Sequence, residues 1–312
     1  MEINGFKLTA PLSCDKSGFS KWGFAEKDGE EYFIKEFLAP IYPVNRELLS
    51  EEQIMSKIKI CKNFEKEKSR LYRAISECTN GNIVPVVEFF RYKSHYYIVT
   101  EKINARPLTV GEISGMSDSQ KLIITKIIAY SLGLLHSKGI IHGDIKPDNL
   151  LFSKTPNGIY TAKLIDFDSS FFADSVPEKG EDFQGDLIYF APESYLYMAG
   201  EETKITPKAD VFSLGVMLHL LWSGELPHFD KNEYDYVFEA VLSGEKPLIY
   251  KTIPRPIALI INQMLDINPD ARPSLSSVLW RLRKSSLNNY CPEAYFFGDT
   301  PTVLVNVLMK LA

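Results

Sequence analysis

Two short apolar runs rich in aromatic residues stand near the start of the chain, Lys21-Trp22-Gly23-Phe24-Ala25 and Tyr32-Phe33-Ile34-Lys35, with Asp28-Gly29 between them. Strand-like runs on either side of an Asp-Gly pair predict an antiparallel hairpin. From Asn45 to about Ser76 there is no Pro or Gly, and Glu and Lys are dense. That stretch predicts one or two helices, the second running from Phe64 to Ile75. Strand patterns return at Ile83 to Phe90 and Tyr96 to Thr100, after an Asn80-Gly81-Asn82 turn. Beyond Pro107 the spacing becomes mainly helical, with segments at Leu122 to His136, Asp210 to Trp222, Glu233 to Leu242, Ile257 to Leu265 and Leu275 to Arg283. A small strand-rich part, 1–103, thus precedes a larger helical part, 104–284, and a tail, 285–312, whose apolar segment from Thr302 to Leu311 is expected to pack on the body. No internal repeat or Ser/Gly linker divides the two parts, which predicts one unit with a cleft between two lobes.

Composition adds little to this picture but removes several classes. With 45% hydrophobic and 24% charged residues over 312 positions, the chain can bury a substantial core and is expected to be ordered nearly throughout. A net charge of -5 argues against nucleic acid or an anionic membrane as partner. Cys14, Cys61, Cys78 and Cys291 lie far apart with no CxxC pair, so neither a disulfide framework nor a zinc site is expected and a reducing compartment fits. Met1 to Gly5 begins no basic-then-apolar leader, and the longest apolar run, Val211 to Trp222, is too short to span a bilayer. The expected location is the cytoplasm.

The chemistry concentrates in His142-Gly143-Asp144-Ile145-Lys146-Pro147-Asp148-Asn149-Leu150-Leu151-Phe152, a polar loop followed by an apolar run, and in Leu164-Ile165-Asp166-Phe167-Asp168. Carboxylates, a lysine and a carboxamide so grouped suit a metal and several negative oxygens, because hard cations take oxygen ligands and phosphate takes ammonium groups. Lys146 and Asn149 lie two and five residues after Asp144, and Asp166 seventeen after Asn149. Each residue alone would be an ordinary turn former or cap; their order and separations together carry the signal.

In that order these residues resemble the eukaryotic-type (Hanks-type) Ser/Thr protein kinases, in a divergent form of bacterial type, over about residues 12 to 283. The resemblance implies an α+β bilobal fold, with a small antiparallel-sheet lobe and a larger helical lobe. It also implies transfer of the γ-phosphoryl group of ATP, with magnesium, to Ser/Thr hydroxyls of proteins, the chain itself included. Asp144 would accept the proton of the substrate hydroxyl, and Lys146, typical of the Ser/Thr kinds, would neutralise the transferred group. Asn149 and Asp166 would hold magnesium. Lys35 would grip the nucleotide phosphates and pair with Glu67, preferred over Glu65 because Leu71 then faces the cleft at i+4. Gly18 belongs to the glycine-rich loop, Glu101 and Ile103 to the adenine-binding hinge beside Thr100, and Leu151 to the floor. Ala191-Pro192-Glu193 resembles the end of the activation segment and Arg272 its buried ion-pair partner. Asp210 would cap its own helix while bonding the catalytic loop.

The chain departs from the family at several positions. Asp15 to Ser20 keeps one glycine, and Phe33 stands where a small residue usually covers adenine. Both features favour a rival reading, a pseudokinase scaffold that turns over little or no nucleotide. The Ala-Pro-Glu and Arg272 pattern disfavours a small-molecule kinase. Gly143 replaces the Arg that clamps a phosphorylated loop, so activity independent of phosphorylation at Ser169, Ser170 and Ser175 is expected. Asp168 and Asp186 replace a Gly and a Thr and add negative charge near the metals. The stretch from Pro40 to Lys62 is longer than usual and suggests an extra helix, Glu47 to Ile60, as a packing element or a regulatory partner surface.

Overall fold

The computed structural model describes residues 1–14, 20–47, 49–78, 80–104, 108–154, 158–179, 183 and 185–284. Gly18, Cys291 and the tail 285–312 lie outside the described residues. The chain divides into two compact units: the described residues of Met1–Thr79 with Val84–Asn104, and Asn80–Ile83 with the described residues after Asn104.

The first unit is a six-stranded antiparallel sheet with one long helix. Its elements are β1 (Glu2–Ile3), β2 (Phe6–Leu8), β3 (Ser20–Lys27), β4 (Glu30–Phe37), α1 (Glu51–Ser76), β5 (Val86–Tyr92) and β6 (His95–Glu101), with strand order β1-β2-β3-β4-β6-β5. The predicted hairpin is β3–β4, turned at Asp28 and Gly29 with φ of +54° and +83°. A second such turn, Asn4-Gly5 at φ +51° and +85°, joins β1 to β2. That hairpin went unread in the sequence although Asn-Gly is its strongest local signal. One sheet face buries Ile3, Phe6, Leu8, Ala25, Ile34, Tyr97 and Val99. Alternation along the strands puts Trp22, Phe33, Lys35, Phe37, Tyr96 and Ile98 on the other face. There α1 docks through Phe64, whose ring centroid lies 5.3 Å from Phe37 and 5.1 Å from Tyr96.

Two expectations need correction here. No separate helix spans Glu47 to Ile60. A single α1 starts at Glu51, because Ser50 accepts the Gln53 N–H and the Gln53 side chain accepts the Ser50 N–H, a reciprocal cap that fixes the start. Nothing later interrupts it, since a run without Gly or Pro gives no reason to break. The strand expected from Ile83 begins at Val86; Ile83 instead forms a parallel bridge with Leu164 in the second unit.

The second unit comprises α2 (Val110–Ser114), α3 (Asp118–Ser137), β7 (Ile140–Ile141), β8 (Leu150–Lys154), β9 (Tyr160–Leu164), β10 (Phe171–Phe172), α4 (Pro192–Met198), α5 (Lys208–Ser223), α6 (Val237–Leu242), α7 (Arg255–Met264) and α8 (Leu275–Lys284). Short antiparallel pairs β7–β10 and β8–β9 flank the chemistry-bearing loop. Helix α5 is apolar nearly all round and buries twelve of its residues, so it forms the centre of the unit. Its Gly215 lets α7 approach: a Cβ there would lie 2.8 Å from Met264 Cβ. Helix α6 starts at Val237, not Glu233, because the Asp230 side chain turns the chain by accepting the Asn232 N–H, and Glu239 accepts the N–H groups of Asp235 and Tyr236. Among the described residues no helix is long and apolar enough to cross a membrane.

Candidate active site

The loop between β7 and β8 is fixed from below by one carboxylate. Asp210 lies in the first turn of α5, with Pro207 at the cap position, so it does not cap its own helix as expected. Its oxygens make the bonds to the loop that were expected of it, accepting the N–H groups of His142 (2.8 Å) and Gly143 (3.0 Å), and His136 Nε2 lies 2.9 Å away. Burial pushes the Asp210 carboxyl up, but the His136 hydrogen bond, the charges of His136 and His142 and the Gly143 N–H prevail and hold it below the usual carboxylate range. His136, at the end of α3, went unnoticed in the sequence; nothing in its local pattern separates it from a solvated helix end.

Above this anchor, Asp144, Lys146 and Asn149 converge. Asn149 Nδ2 donates to the backbone oxygen and to Oδ2 of Asp144, both at 2.8 Å. Lys146 Nζ lies 2.9 Å from the same Oδ2, and the Asp186 N–H donates to Oδ1 at 3.0 Å. Burial works against the Lys146 ammonium, yet the Asp144 hydrogen bond and charge, with Asp186 and Asp148 behind them, hold its pKa above the ordinary lysine value. The Asp186 carboxylate sits 3.7 Å from Lys146 and also accepts the Ile188 N–H, so the charge substituted there faces a lysine. Asp166 follows β9 with φ +60°, a left-handed backbone that Asp tolerates better than most residues. Its Oδ1 lies 3.4 Å from the Asp168 N–H. Leu151 is half-buried on β8, opposite Lys163.

These residues fit a phosphate-bound cation better than a self-sufficient metal cage. Both side-chain hydrogen bonds of Asn149 use its nitrogen, which leaves the carbonyl oxygen for a cation. Among the described residues no group of three or more His, Cys, Asp or Glu stands ready to enclose a metal. A magnesium ion completed by phosphate oxygens needs only one or two such protein ligands.

In the first unit Lys35 is buried in β4, opposite Trp22 on β3 and Ile98 on β6. Phe33, on the same face, stacks on Trp22 at 5.9 Å and meets Phe24 edge-on at 5.9 Å. Glu65 accepts the Tyr96 hydroxyl at 2.8 Å and lies 3.7 Å from Arg91, which turns it toward β5 and β6. Glu67 is exposed on α1. Glu101 ends β6, and the half-buried Ile103 follows Lys102, which pairs with Glu31 at 2.7 Å.

The segment after Asp166 lies against the loop, and among the described residues no arginine joins the two. Strand β10 pairs with β7, the Ser170 hydroxyl donates to the His142 carbonyl at 2.9 Å, and Phe183 meets Phe171 and Tyr197 at 5.8 and 5.1 Å. Gly143 has φ +81°, and a Cβ there would lie 2.5 Å from the Ser169 carbonyl oxygen. Restoring the missing arginine therefore cannot restore the clamp. Gly143→Arg is expected to displace the segment and destabilise the protein by about 1–3 kcal/mol, the cost of overpacking a filled site, measured by thermal unfolding. An unchanged unfolding midpoint would contradict this. At its far end Glu193 makes the expected buried pair: Arg272 Nη1 donates to Oε1 at 2.6 Å and Nη2 to Oε2 at 2.8 Å.

The protein kinase domain family matches residues 44–281. Curated relatives include the serine/threonine-protein kinase PkaA of Streptomyces coelicolor, 31% identical over 74% of this chain and 41% of its own length. The CBL-interacting serine/threonine-protein kinase 18 of Arabidopsis thaliana is 29% identical over 63% of this chain and 36% of its own. A protein named probable myosin light chain kinase in Dictyostelium discoideum is 30% identical over 64% of each. The chain spans less than two thirds of the length of each of these relatives. A match over most of the sequence, joined to a small antiparallel-sheet unit, a larger helical one and the loop geometry above, places the chain in the protein kinase domain family, among its Hanks-type Ser/Thr members.

Proposed function

We propose that the chain transfers the γ-phosphoryl group of ATP to Ser and Thr hydroxyls of proteins, itself included, with magnesium as the metal. The observation that carries this reading is the fixed Asp144 carboxylate, held on both oxygens by Asn149, Lys146 and the Asp186 N–H. The hydroxyl oxygen attacks phosphorus, the bond to the leaving diphosphate breaks with its electron pair, and the hydroxyl proton passes to Asp144. Lys146 lies against Asp144, where its ammonium meets negative charge as it develops on the transferred oxygens, and needs no reorganisation to do so. Asn149 and Asp166 would hold the magnesium, which when bound neutralises phosphate charge. Lys35, paired with Glu67, and Gly18, Glu101, Ile103 and Leu151 remain the proposed nucleotide-binding residues. The substrates are proteins in the cytoplasm, and the outer part of α1, within 45–62, is the proposed surface for a regulatory partner.

Incubation with labelled ATP and magnesium tests this, comparing wild type with Asp144→Asn and Asp166→Asn. Equal label in all three would remove the catalytic reading.

One observation favours the rival scaffold reading. The rings of Trp22, Phe24 and Phe33 crowd the sheet face that bears Lys35, and half-bury Phe33. Phe33→Ala is expected to raise ATP affinity by about tenfold, the effect of relieving an overpacked site, read by titration of Trp22 fluorescence. Unchanged or weaker affinity would mean that the ring supports the base instead of excluding it.

A further inference from the structure

Helix α1 has two unlike halves. Its buried residues are Cys61, Leu71, Tyr72 and Ile75, so none falls in Glu51 to Ile60. That outer stretch instead exposes Met55 (72%) and Ile60 (55%). Ten residues seldom hold a helix alone, and this stretch persists because it continues one that is docked.

Along the side away from the sheet run Lys59, Lys62, Lys66, Arg70 and Arg73, all exposed. At 3.6 residues per turn they fall within about 80° of arc and about 21 Å of length, a single straight basic row. Met55 lies on the same line one turn earlier. Such a row stands out in a chain whose net charge is -5.

We infer that this row is a docking face for an acidic peptide segment of a partner protein, with an apolar side chain that reaches Met55. Charge decides the sign of the partner, and geometry decides its class. A bilayer surface would need the apolar face of the helix, but from Cys61 onward that face is spent on the sheet. A duplex would need a broad positive surface, whereas here one narrow row belongs to an acidic chain. A peptide laid along the helix needs only the row, and takes its specificity from spacing and from the apolar anchor at Met55. The inference is independent of catalysis.

The test uses the full chain and a fluorescein-labelled 20-residue peptide of repeating Glu-Glu-Leu-Glu, read by anisotropy. The triple reversal K59E/K62E/K66E is expected to weaken binding by roughly tenfold, the loss of three exposed pairs, and to bind a repeating Lys-Lys-Leu-Lys peptide that the wild type ignores. That gain of binding separates lost charge from lost fold. Met55→Asp should weaken the acidic peptide severalfold. An equal loss in the control reversal K231E/K246E/K251E, placed on exposed lysines of the second unit, would overturn the inference. So would tighter binding to phosphatidylserine vesicles or single-stranded DNA than to the acidic peptide.

Discussion

Asp144→Asn is expected to lower phosphate transfer by about 10³-fold, within the 10²–10⁴ range that a positioned general base contributes. The substitution keeps the shape of the side chain and the oxygen that accepts the Asp186 N–H. It removes the negative oxygen shared by Asn149 and Lys146 and puts an amide where a proton should be taken up. Stability should fall by about 1.5–3 kcal/mol for the loss of charged hydrogen bonds, less than the roughly 4 kcal/mol that a 10³-fold rate loss represents. Single-turnover transfer to a protein substrate, alongside thermal unfolding, separates the two effects. Activity within tenfold of wild type would show that Asp144 is not the base.

The second large effect concerns the fold. Arg272 is among the largest fully buried side chains, and its guanidinium is satisfied at every edge. Beyond the two bonds to Glu193 it donates to the carbonyls of Lys208 (2.9 Å) and Asp266 (2.8 Å), and it lies 5.0 Å from the centre of the Phe212 ring. Arg272→Ala leaves the Glu193 carboxylate, itself buried, without its counter-charge. A loss of about 3–5 kcal/mol is expected, which in a chain of this size lowers Tm by roughly 10 °C. Glu193→Gln with Arg272→Met should cost clearly less than Arg272→Ala alone, because it removes both charges and keeps the volume. A double variant as unstable as the single would show that packing, and not the unpaired charge, dominates.

The site was legible in the sequence to the extent that its residues are near neighbours in the chain. Asp144, Lys146 and Asn149 sit within one loop, and local geometry alone brings them together. The β3–β4 hairpin was readable for the same reason, as two apolar strand-like runs around a local Asp-Gly turn. The second turn of this kind, at Asn4-Gly5, was equally readable and was passed over. By contrast the length of α1 was misread, because the absence of a breaker does not say how many helices a run contains; the cap at Ser50 and the burial that begins at Cys61 decide it.

The role of Asp210 shows the limit from another side. Its place at a helix start suggested a local cap beside the loop bond that the resemblance implied; only the loop bond is made, because a buried carboxylate goes where buried N–H groups would otherwise be unsatisfied, here some seventy residues earlier. Gly143 gives a similar lesson. The sequence shows a missing arginine, while the packed Ser169 carbonyl shows that no side chain can occupy that position.

Spacing and periodicity carry the family, the order of the chemical groups and the sheet-then-helix plan. The partners that hold those groups come from the folded chain alone: His136 on Asp210, Asp186 on Lys146, the rings beside Lys35 and the exposed basic row of α1. Contacts between distant segments depend on how whole elements pack, and packing is a property of the folded chain that no window of sequence contains.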